Sequence, residues 1–370
     1  MKVLVIVGTR PEAIKMVPVY NALKACSWCN PRLLLTGQHR EMARSVLDVF
    51  NVTPDLDLDV MEPSQTLLSL STRLTQSLVE VIGAERPDAI LVQGDTTSAM
   101  IAGWLGFYAG CLVGHIEAGL RTGNLATPFP EEFNRRVVAL TAHWHFAPTE
   151  EAAANLRAEG LTQNVHVVGN TVIDAALEIA KMRTPRMQAL SEKLNFLGQP
   201  GRRVVLVTTH RRENLGEPMR GIAAAVADLA EAHPKVDFLV PVHPNPVCGA
   251  ALRPVLKGRA NVYLTAPLEY DEMIYVLRHA FLVLTDSGGI QEEAPAFDVP
   301  VLVLRNETER MEGVEAGCSS LVGTDRHEIV RAANRLFTNP ALYAAMSQAR
   351  NPYGDGSSAQ QIAVIIGAAS

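Results

Sequence analysis

The chain has 370 residues, of which 48% are hydrophobic and 19% are charged, proportions typical of a globular protein long enough for two domains. Its formal net charge of −6 excludes a global field that would attract nucleic acid or an anionic membrane. An anionic ligand would therefore need a local group of cations. The five cysteines are scattered and odd in number, so no disulfide framework is indicated. The Cys26-Ser-Trp-Cys29 segment lacks a second cysteine pair, and no metal site is predicted.

The start of the chain predicts a short β-strand and not a targeting segment. Residues Met1 to Gly8 carry one charge and a short apolar run, a pattern that differs from a secretory signal. No apolar stretch approaches the roughly 20 residues of a membrane-spanning helix. We therefore expect a cytoplasmic protein that binds neither a membrane nor nucleic acid.

Two series of apolar runs of strand length alternate with helical stretches along the chain. This alternation predicts parallel sheets with helices on both faces, and hence an α/β protein with two doubly wound, Rossmann-like domains. The first series of predicted strands is Val3–Val7, Arg32–Thr36, Ala89–Gln93, Leu112–Ile116, His143–Ala147 and His166–Val168. The second series is Val204–Thr208, Asp237–Pro241, Val262–Thr265, Phe281–Thr285, Val299–Leu304 and Ser320–Val322.

The predicted boundary between the domains falls between Gly169 and Gly201, a stretch with a helical pattern and breaker residues but no strong strand. We place the first domain at residues 1–169 and the second at residues 170–356. The apolar stretch 357–370 predicts a C-terminal helix that packs back on the first domain. The two domains are expected to face each other across a cleft.

Charged residues follow the predicted strands of the first domain, at the sheet edge where α/β proteins bind ligands. Arg10 and Lys15 can serve phosphate oxygens, although a solvated helix start explains them equally well. Asp95 and Glu131 can be explained as helix-start residues. Glu117 is different, because a charged residue directly after a buried strand needs a partner or a purpose. These three carboxylates form a candidate acid–base group.

The most informative feature of the second domain is the predicted strand-to-helix turn Ser287-Gly288-Gly289. Free N–H groups at a helix N-terminus favour an anion, and two glycines let a diphosphate approach the backbone closely. Glu293 follows about a turn and a half later and can accept hydrogen bonds from both hydroxyls of a ribose. The pattern predicts a nucleotide-diphosphate site, the alternative being a Ser-capped helix with glycines for tight packing. His210, at another strand end, can assist a departing diphosphate.

Eleven motifs stand in order along essentially the whole chain. They are GTRPEAIKM (Gly8–Met16), GQHREM (Gly37–Met42), GDTT (Gly94–Thr97), HIEAGLRTG (His115–Gly123), PFPEEFNRR (Pro128–Arg136), GNTVIDA (Gly169–Ala175), THRREN (Thr209–Asn214), PVHPNP (Pro241–Pro246), TDSGGIQEEAP (Thr285–Pro295), TERMEGVEAG (Thr308–Gly317) and NPYGDG (Asn351–Gly356). This ordered set resembles the non-hydrolysing bacterial UDP-N-acetylglucosamine 2-epimerases.

The resemblance implies a glycosyltransferase-B-like fold and a reversible conversion of UDP-N-acetylglucosamine to UDP-N-acetylmannosamine, with no metal or other cofactor. It also implies a homodimer and a product that feeds surface polysaccharides. The reaction would proceed by elimination and re-addition of UDP through a glycal intermediate. Such chemistry needs cations for the leaving diphosphate and carboxylates near sugar carbon 2.

The resemblance also assigns residues to sites. Matching motifs imply that the reaction site contains the catalytic candidates Asp95, Glu117, Glu131 and His210, together with Arg10, Lys15 and Arg310. They imply that UDP is held by Ser287, Gly288, Gly289 and Glu293. Met273 stands where the family often has a phenylalanine under the uracil, and methionine stacks less rigidly. Gln38, Glu131, Arg211 and His243 match a second, regulatory nucleotide-sugar site of some members, but Ser64 replaces an arginine of that site.

Three other functions share part of this pattern. A glycosyltransferase of the same fold would have the same glycine turn and Glu293, since a fold alone does not define a reaction. A hydrolysing epimerase would release UDP and free N-acetylmannosamine, and a non-catalytic sensor would only bind the UDP-sugar. The carboxylate trio and the complete order of motifs favour the epimerase.

Overall fold

The computed structural model describes residues 1–62, 65–197 and 199–369 and divides into two compact units. Unit 1 consists of Met1–Ala175 and Tyr353–Ser370, and unit 2 consists of Ala176–Pro352. Each unit has its own parallel sheet with interspersed helices, which confirms the predicted α/β class. The chain leaves unit 1 after Ala175 and re-enters it at Tyr353, whereas the sequence analysis places these points after Gly169 and after Gly356.

Unit 1 contains a seven-stranded sheet in which every paired strand is parallel. Its strand order is β3-β2-β1-β4-β5-β6-β7, so the order reverses direction between β1 and β4. The strands are β1 (Lys2–Val7), β2 (Asn30–Leu35), β3 (Leu56–Asp57), β4 (Ala89–Gln93), β5 (Leu112–Ile116), β6 (Trp144–Ala147) and β7 (Val165–Val167). The central strands are apolar and buried along nearly their whole length, because helices cover both faces.

The helices of unit 1 connect these strands and end with the last helix of the chain. They are α1 (Arg10–Lys24), α2 (Arg40–Val49), α3 (Leu67–Glu85), α4 (Thr97–Tyr108), α5 (Glu131–Thr141), α6 (Glu150–Ala158), the first half of α7 (Thr171–Ala180) and α16 (Ser358–Gly367). Helix α16 packs against α1, and the backbone N–H of Ala359 donates to Asp174 Oδ1 at 2.8 Å. The C-terminal helix therefore belongs to unit 1.

Unit 2 contains a six-stranded parallel sheet of order β10-β9-β8-β11-β12-β13, the strand order of a Rossmann domain. The direction reverses between β8 and β11. The strands are β8 (Arg203–Thr208), β9 (Val236–Pro241), β10 (Val262–Thr265), β11 (Leu282–Thr285), β12 (Val301–Val303) and β13 (Ser319–Leu321).

The helices of unit 2 cover both faces of its sheet. They are α8 (Pro185–Lys193), α9 (Glu217–Ala232), α10 (Pro246–Leu256), α11 (Tyr270–His279), α12 (Gly288–Glu293), α13 (Met311–Glu315), α14 (Arg326–Thr338) and α15 (Pro340–Ser347), with short 3-10 segments at Arg212–Asn214 and Ala294–Phe297. Helices α9, α10 and α14 supply most of the helical residues in the main core of this unit. In the described residues of the whole chain, no helix is both long and apolar enough to cross a bilayer.

All twelve predicted strands are present, with ends that differ by at most two residues. The prediction Val299–Leu304 is too long, because Pro300 has no N–H to contribute to a ladder and the strand begins at Val301. The two-residue strand β3 at the edge of the first sheet was not predicted, since so short a segment has no alternating pattern.

Candidate functional site

In each sheet, candidate residues follow the two neighbouring strands at which the strand order reverses direction, called the reversal point here. In unit 1, Arg10 follows β1 and Asp95 follows β4; in unit 2, His210 follows β8 and Ser287 follows β11. Ligands of doubly wound sheets bind in the crevice outside the carboxyl ends of the strands at this point. Each unit therefore presents one candidate half-site at the expected place.

Glu117 is the centre of the half-site in unit 1. It follows β5 directly and has a φ of 62°, in the left-handed region that non-glycine residues rarely adopt. Lys15 Nζ donates to both carboxylate oxygens of Glu117 at 2.6 Å each. Gln93 Nε2 donates to Oε2, and Asn170 Nδ2 donates to Oε1 at 3.3 Å. The partner that the sequence analysis expected for this buried charge is thus Lys15, aided by two amides.

Asp95 lies within electrostatic reach of this pair. Burial raises the pKa of the Asp95 carboxyl, the Arg135 guanidinium opposes that rise, Glu117 adds to it and Lys15 opposes it. Arg135 Nη2 donates to Asp95 Oδ2. Asp95 does not cap α4: the capping residue is Thr96, whose Oγ1 accepts from the backbone N–H of Ala99 at 3.0 Å. The helix-cap explanation of Asp95 was wrong, and its carboxylate lies among charged side chains.

The two glutamates at the start of α5 have different surroundings. Glu132 is fully buried and accepts from Arg136 Nε and from the Thr122 N–H, each at 3.0 Å. Glu131 is half-buried, and its Oε2 atom has no hydrogen-bond partner among the described residues. The contacts of Glu132 are therefore structural, and Glu131 remains the candidate site residue of the two.

Two other predicted residues of unit 1, Arg10 and Gln38, are half-buried. Arg10 is the first residue of α1, is half-buried and makes no ion pair within the described ranges. Gln38 lies in the loop after β2, where Ser98 Oγ donates to its Oε1 at 2.8 Å.

Glu12 is a buried carboxyl that the sequence analysis did not single out. It is 1% exposed, accepts from Thr96 Oγ1 at 2.7 Å and accepts from the Gly8 N–H at 3.1 Å. Burial raises the pKa of Glu12 to about 7, although these hydrogen bonds lower it. Glu12 links the turn after β1 to the turn after β4. Its place inside the GTRPEAIKM motif was the available signal.

The glycine turn of unit 2 is open. Neither Gly288 nor Gly289 has a positive φ. A Cβ atom added at Gly289 would meet nothing within 4 Å, and one at Gly288 would meet Arg211 Nη2 at 3.5 Å, an ordinary contact. The Ser287 side chain makes no capping hydrogen bond. Neither half of the alternative interpretation, a Ser cap with glycines for tight packing, is supported, and the glycines leave room for a ligand.

Asp286, directly before this turn, organises the neighbouring loop after β8. Its carboxylate accepts from Thr209 Oγ1 at 2.8 Å, from the His210 N–H at 2.9 Å, from the Arg211 N–H at 3.0 Å and from Asn214 Nδ2 at 2.9 Å. His210 Nδ1 lies 3.3 Å from Oδ1. Burial alone would raise the pKa of Asp286, but these contacts hold it at about 2. Asp286 was not predicted as a site residue, although it lies inside the TDSGG motif.

The remaining candidates of unit 2 are Arg310, Glu293 and Met273. Arg310 Nε donates to Glu292 Oε1, so this arginine neutralises the glutamate beside Glu293. Glu293 itself is 6% exposed on α12. Met273 is half-buried on α11. A substrate contact of Arg310, which the resemblance places in the reaction site, would have to compete with this ion pair.

The residues matched to a regulatory site are divided between the units. Gln38 and Glu131 are in unit 1, whereas Arg211 and His243 are in unit 2, where the His243 and His210 rings stack with centroids 5.5 Å apart. Ser64 lies outside the described residues. Within the described ranges, no group of three or more His, Cys, Asp or Glu side chains is placed to hold a metal ion.

Known proteins match this chain over nearly its full length. Residues 21–367 match the family described as UDP-N-acetylglucosamine 2-epimerase. The UDP-N-acetylglucosamine 2-epimerase of Yersinia pestis is 46% identical over 98% of this chain and 97% of its own length.

Solved structures give the same result. The UDP-GlcNAc 2-epimerase of Neisseria meningitidis, solved bound to UDP-GlcNAc, is 42% identical, covers 99% of each chain and superposes with a TM-score of 0.88. A glycosyltransferase from Rickettsia africae, at 11% identity, 98% and 97% coverage and a TM-score of 0.64, shares the fold alone. The family match and these identities show that this chain belongs to the UDP-N-acetylglucosamine 2-epimerase family.

Proposed function

We propose that this protein interconverts UDP-N-acetylglucosamine and UDP-N-acetylmannosamine without hydrolysis, by eliminating and re-adding UDP. Membership of the family supports the overall reaction. The observation that carries the mechanism is the Lys15–Glu117 pair beside Asp95 at the reversal point of the first sheet. A protein that only bound the nucleotide would not need a group of carboxylates there.

The chemistry explains why carboxylates and cations are both needed. The hydrogen on sugar carbon 2 is not beside a carbonyl, so its direct removal would leave an unstabilised carbanion. Cleavage of the bond between carbon 1 and the UDP oxygen, with the electron pair leaving on UDP, builds positive character at carbon 1 and acidifies that hydrogen. A base takes the proton and a glycal forms. Protonation of carbon 2 on the opposite face and return of UDP to carbon 1 give the epimer.

Unit 2 supplies the groups for the nucleotide and the leaving diphosphate. The open Ser287–Gly289 turn lets phosphate oxygens approach backbone N–H groups, and Glu293 is assigned to the ribose hydroxyls. His210, whose side chain is 40% exposed and contacts Asp286, is assigned to donate to the diphosphate. Met273 is assigned to the uracil.

Unit 1 supplies the proton-transfer groups. We assign both proton transfers to Asp95, Glu117 and Glu131, with Arg10 and Lys15 as cations that balance charge as UDP leaves. Burial raises the pKa of Asp95, which favours the protonated form of this carboxyl.

Proton NMR of the reaction in heavy water tests this proposal. Incubation with UDP-N-acetylglucosamine and no acceptor should give UDP-N-acetylmannosamine that carries deuterium at carbon 2. Accumulation of UDP and free N-acetylmannosamine would indicate a hydrolysing epimerase instead. Absence of any conversion until a sugar acceptor is added would indicate a glycosyltransferase, and absence under both conditions a sensor.

The family resemblance extends the proposal to a cytoplasmic homodimer whose product feeds surface polysaccharides. The exposed hydrophobic residues Phe107 and Tyr108 on α4 and Leu140 on α5, which packs against α4, support a protein interface on unit 1. Light scattering of the purified protein, compared with Tyr108→Glu, measures the oligomeric state. A mass equal to one chain in the wild type would contradict the homodimer.

A further inference from the structure

Unit 2 contains a large cavity away from the glycine turn, between α7, α8 and α11. Its volume is about 1010 Å³, at the upper end of the roughly 300–1,000 Å³ of small-molecule sites. Neither the Ser287–Gly289 turn nor His210 is among its lining residues. It is therefore a separate space from the half-site described above.

Part of the cavity wall is apolar and aromatic, and the rest is formed by polar and charged residues. Leu177 and Met182 line it on one side, Met187 lines it from α8, and Tyr275 and Phe297 add two aromatic rings. Tyr275 OH donates to Ser191 Oγ at 2.9 Å, which fixes one ring in the wall. Apolar walls with a few placed polar groups are typical of sites for small organic ligands.

Three cations line the same cavity. They are Lys181, Arg183 and Arg278, and none of them makes an ion pair with a described residue. Glu192 is the only carboxylate among the lining residues, and it accepts from Gln188 Nε2 at 3.2 Å. In a chain with a net charge of −6, this local excess of positive charge favours an anion.

The residues of α11 that line the cavity lie on a different face of the helix from Met273, the residue assigned to the uracil. Tyr275, Arg278 and His279 are spaced three and four residues apart, so they share one face of the helix. Met273 is two residues before Tyr275, about 200° around the helix axis, and it does not line the cavity. One helix thus serves two different sites.

We propose that this cavity binds a small organic anion with an aromatic or apolar body and one anionic group. The apolar walls bury the body of the ligand, and Lys181 and Arg183 pair with the anionic group, which is a phosphate, sulfonate or carboxylate. The inference does not depend on the proposed epimerase reaction, since none of the residues assigned to that reaction lines the cavity.

The probe for the test is 8-anilinonaphthalene-1-sulfonate, an aromatic anion that fluoresces when bound in an apolar site. It is titrated into the full-length protein saturated with UDP, which occupies the nucleotide half-site. The test variant is Lys181→Glu/Arg183→Glu, and the matched control is Lys193→Glu/Lys235→Glu, two exposed lysines of unit 2 that do not line the cavity. Circular dichroism confirms that each variant is folded.

We expect one dye molecule to bind per chain, and the test variant to bind it at least about tenfold more weakly while the control binds it as the wild type does. Displacement by phenyl phosphate at lower concentration than by benzoate identifies a phosphate ligand, and the reverse order a carboxylate ligand. Equal dye binding by wild type and test variant, equal weakening in the control, or dye binding that is seen with the UDP-free protein but not with the UDP-saturated protein would overturn the proposal.

Discussion

Glu117 is a strained residue held in place by its neighbours. A non-glycine residue at a φ of 62° costs roughly 1 kcal/mol or more and persists only where surrounding contacts fix it. Here the contacts come from Lys15, Gln93 and Asn170, which all donate to its carboxylate. Such arrangements concentrate at functional sites, and this one lies at the carboxyl end of a central strand.

Glu117→Gln should lower turnover by roughly two to four orders of magnitude, the usual range for a lost acid–base group. UDP affinity should change little, because UDP is assigned to unit 2. Turnover is measured by NMR and UDP affinity by calorimetry, with Glu80→Gln, an exposed glutamate of α3, as the matched control. If UDP affinity collapses while bound substrate still turns over, Glu117 is a structural residue.

The raised pKa of Glu12 should make the stability of the folded protein fall as the pH rises. Its pKa is 4.5 for the ordinary group and about 7 in the folded protein, so the folded state binds an additional proton between these values. The resulting stabilisation is complete below pH 4.5 and is lost as the pH rises through about 7. A rise of this size corresponds to about 3 kcal/mol.

Glu12→Gln should remove this pH dependence, because glutamine does not titrate. The free energy of unfolding of the wild type relative to the variant should fall from about pH 5 to about pH 8, by up to about 3 kcal/mol. Urea denaturation at several pH values measures it, with Glu80→Gln as the control that leaves the profile unchanged. Parallel profiles for wild type and Glu12→Gln would show that Glu12 is ionised throughout this range.

At the scale of elements, a substitution in the turn between β11 and α12 should affect stability and UDP affinity differently. A Cβ atom at Gly289 enters open space and the backbone there is not left-handed. Gly289→Ala should therefore leave stability unchanged or raise it by up to about 1 kcal/mol, since alanine favours a helix over glycine. The same methyl group should weaken UDP binding, because it occupies the space that a phosphate needs.

Thermal unfolding and UDP titration of Gly289→Ala measure the two effects separately. Gly83→Ala is the matched control, since Gly83 lies inside α3 and its added Cβ atom also meets nothing within 4 Å. The control should gain similar stability and keep full UDP affinity. Unchanged UDP affinity in Gly289→Ala would mean that the diphosphate does not approach this turn.

The sequence predicts the elements better than it predicts the partners of charged residues. Apolar runs bounded by Gly, Pro, Asp and Thr locate twelve strands, because burial in a parallel sheet requires such runs. Which charged and polar residues pair depends on which strand ends are neighbours in the fold. Examples are Arg310 with Glu292, 18 residues away, and Asn214 with Asp286, 72 residues away. Spacing along the chain does not contain that information, so Asp286 and Glu12 were missed.

At the scale of the whole molecule, unit 1 is completed by the last helix of the chain. Helix α16 packs against α1, the helix that carries Arg10 and Lys15. Ile362 is 0% exposed on α16, and a Cβ atom added at Gly367 would lie 2.9 Å from the Trp28 ring. The first 175 residues alone therefore leave an apolar surface of unit 1 uncovered.

Ile362→Ala should destabilise unit 1 by about 2–5 kcal/mol, the range for removing a buried isoleucine side chain. Hydrogen exchange measures the effect by region: amides of β1, β2 and β4 should exchange faster, whereas those of β8, β9 and β11 should keep their rates, because local stability follows local contacts. Val364→Ala, a change at a 71% exposed position of the same helix, is the matched control and should alter neither region. Equal acceleration in both sheets would show that the two units unfold as one cooperative body and that α16 stabilises the whole chain.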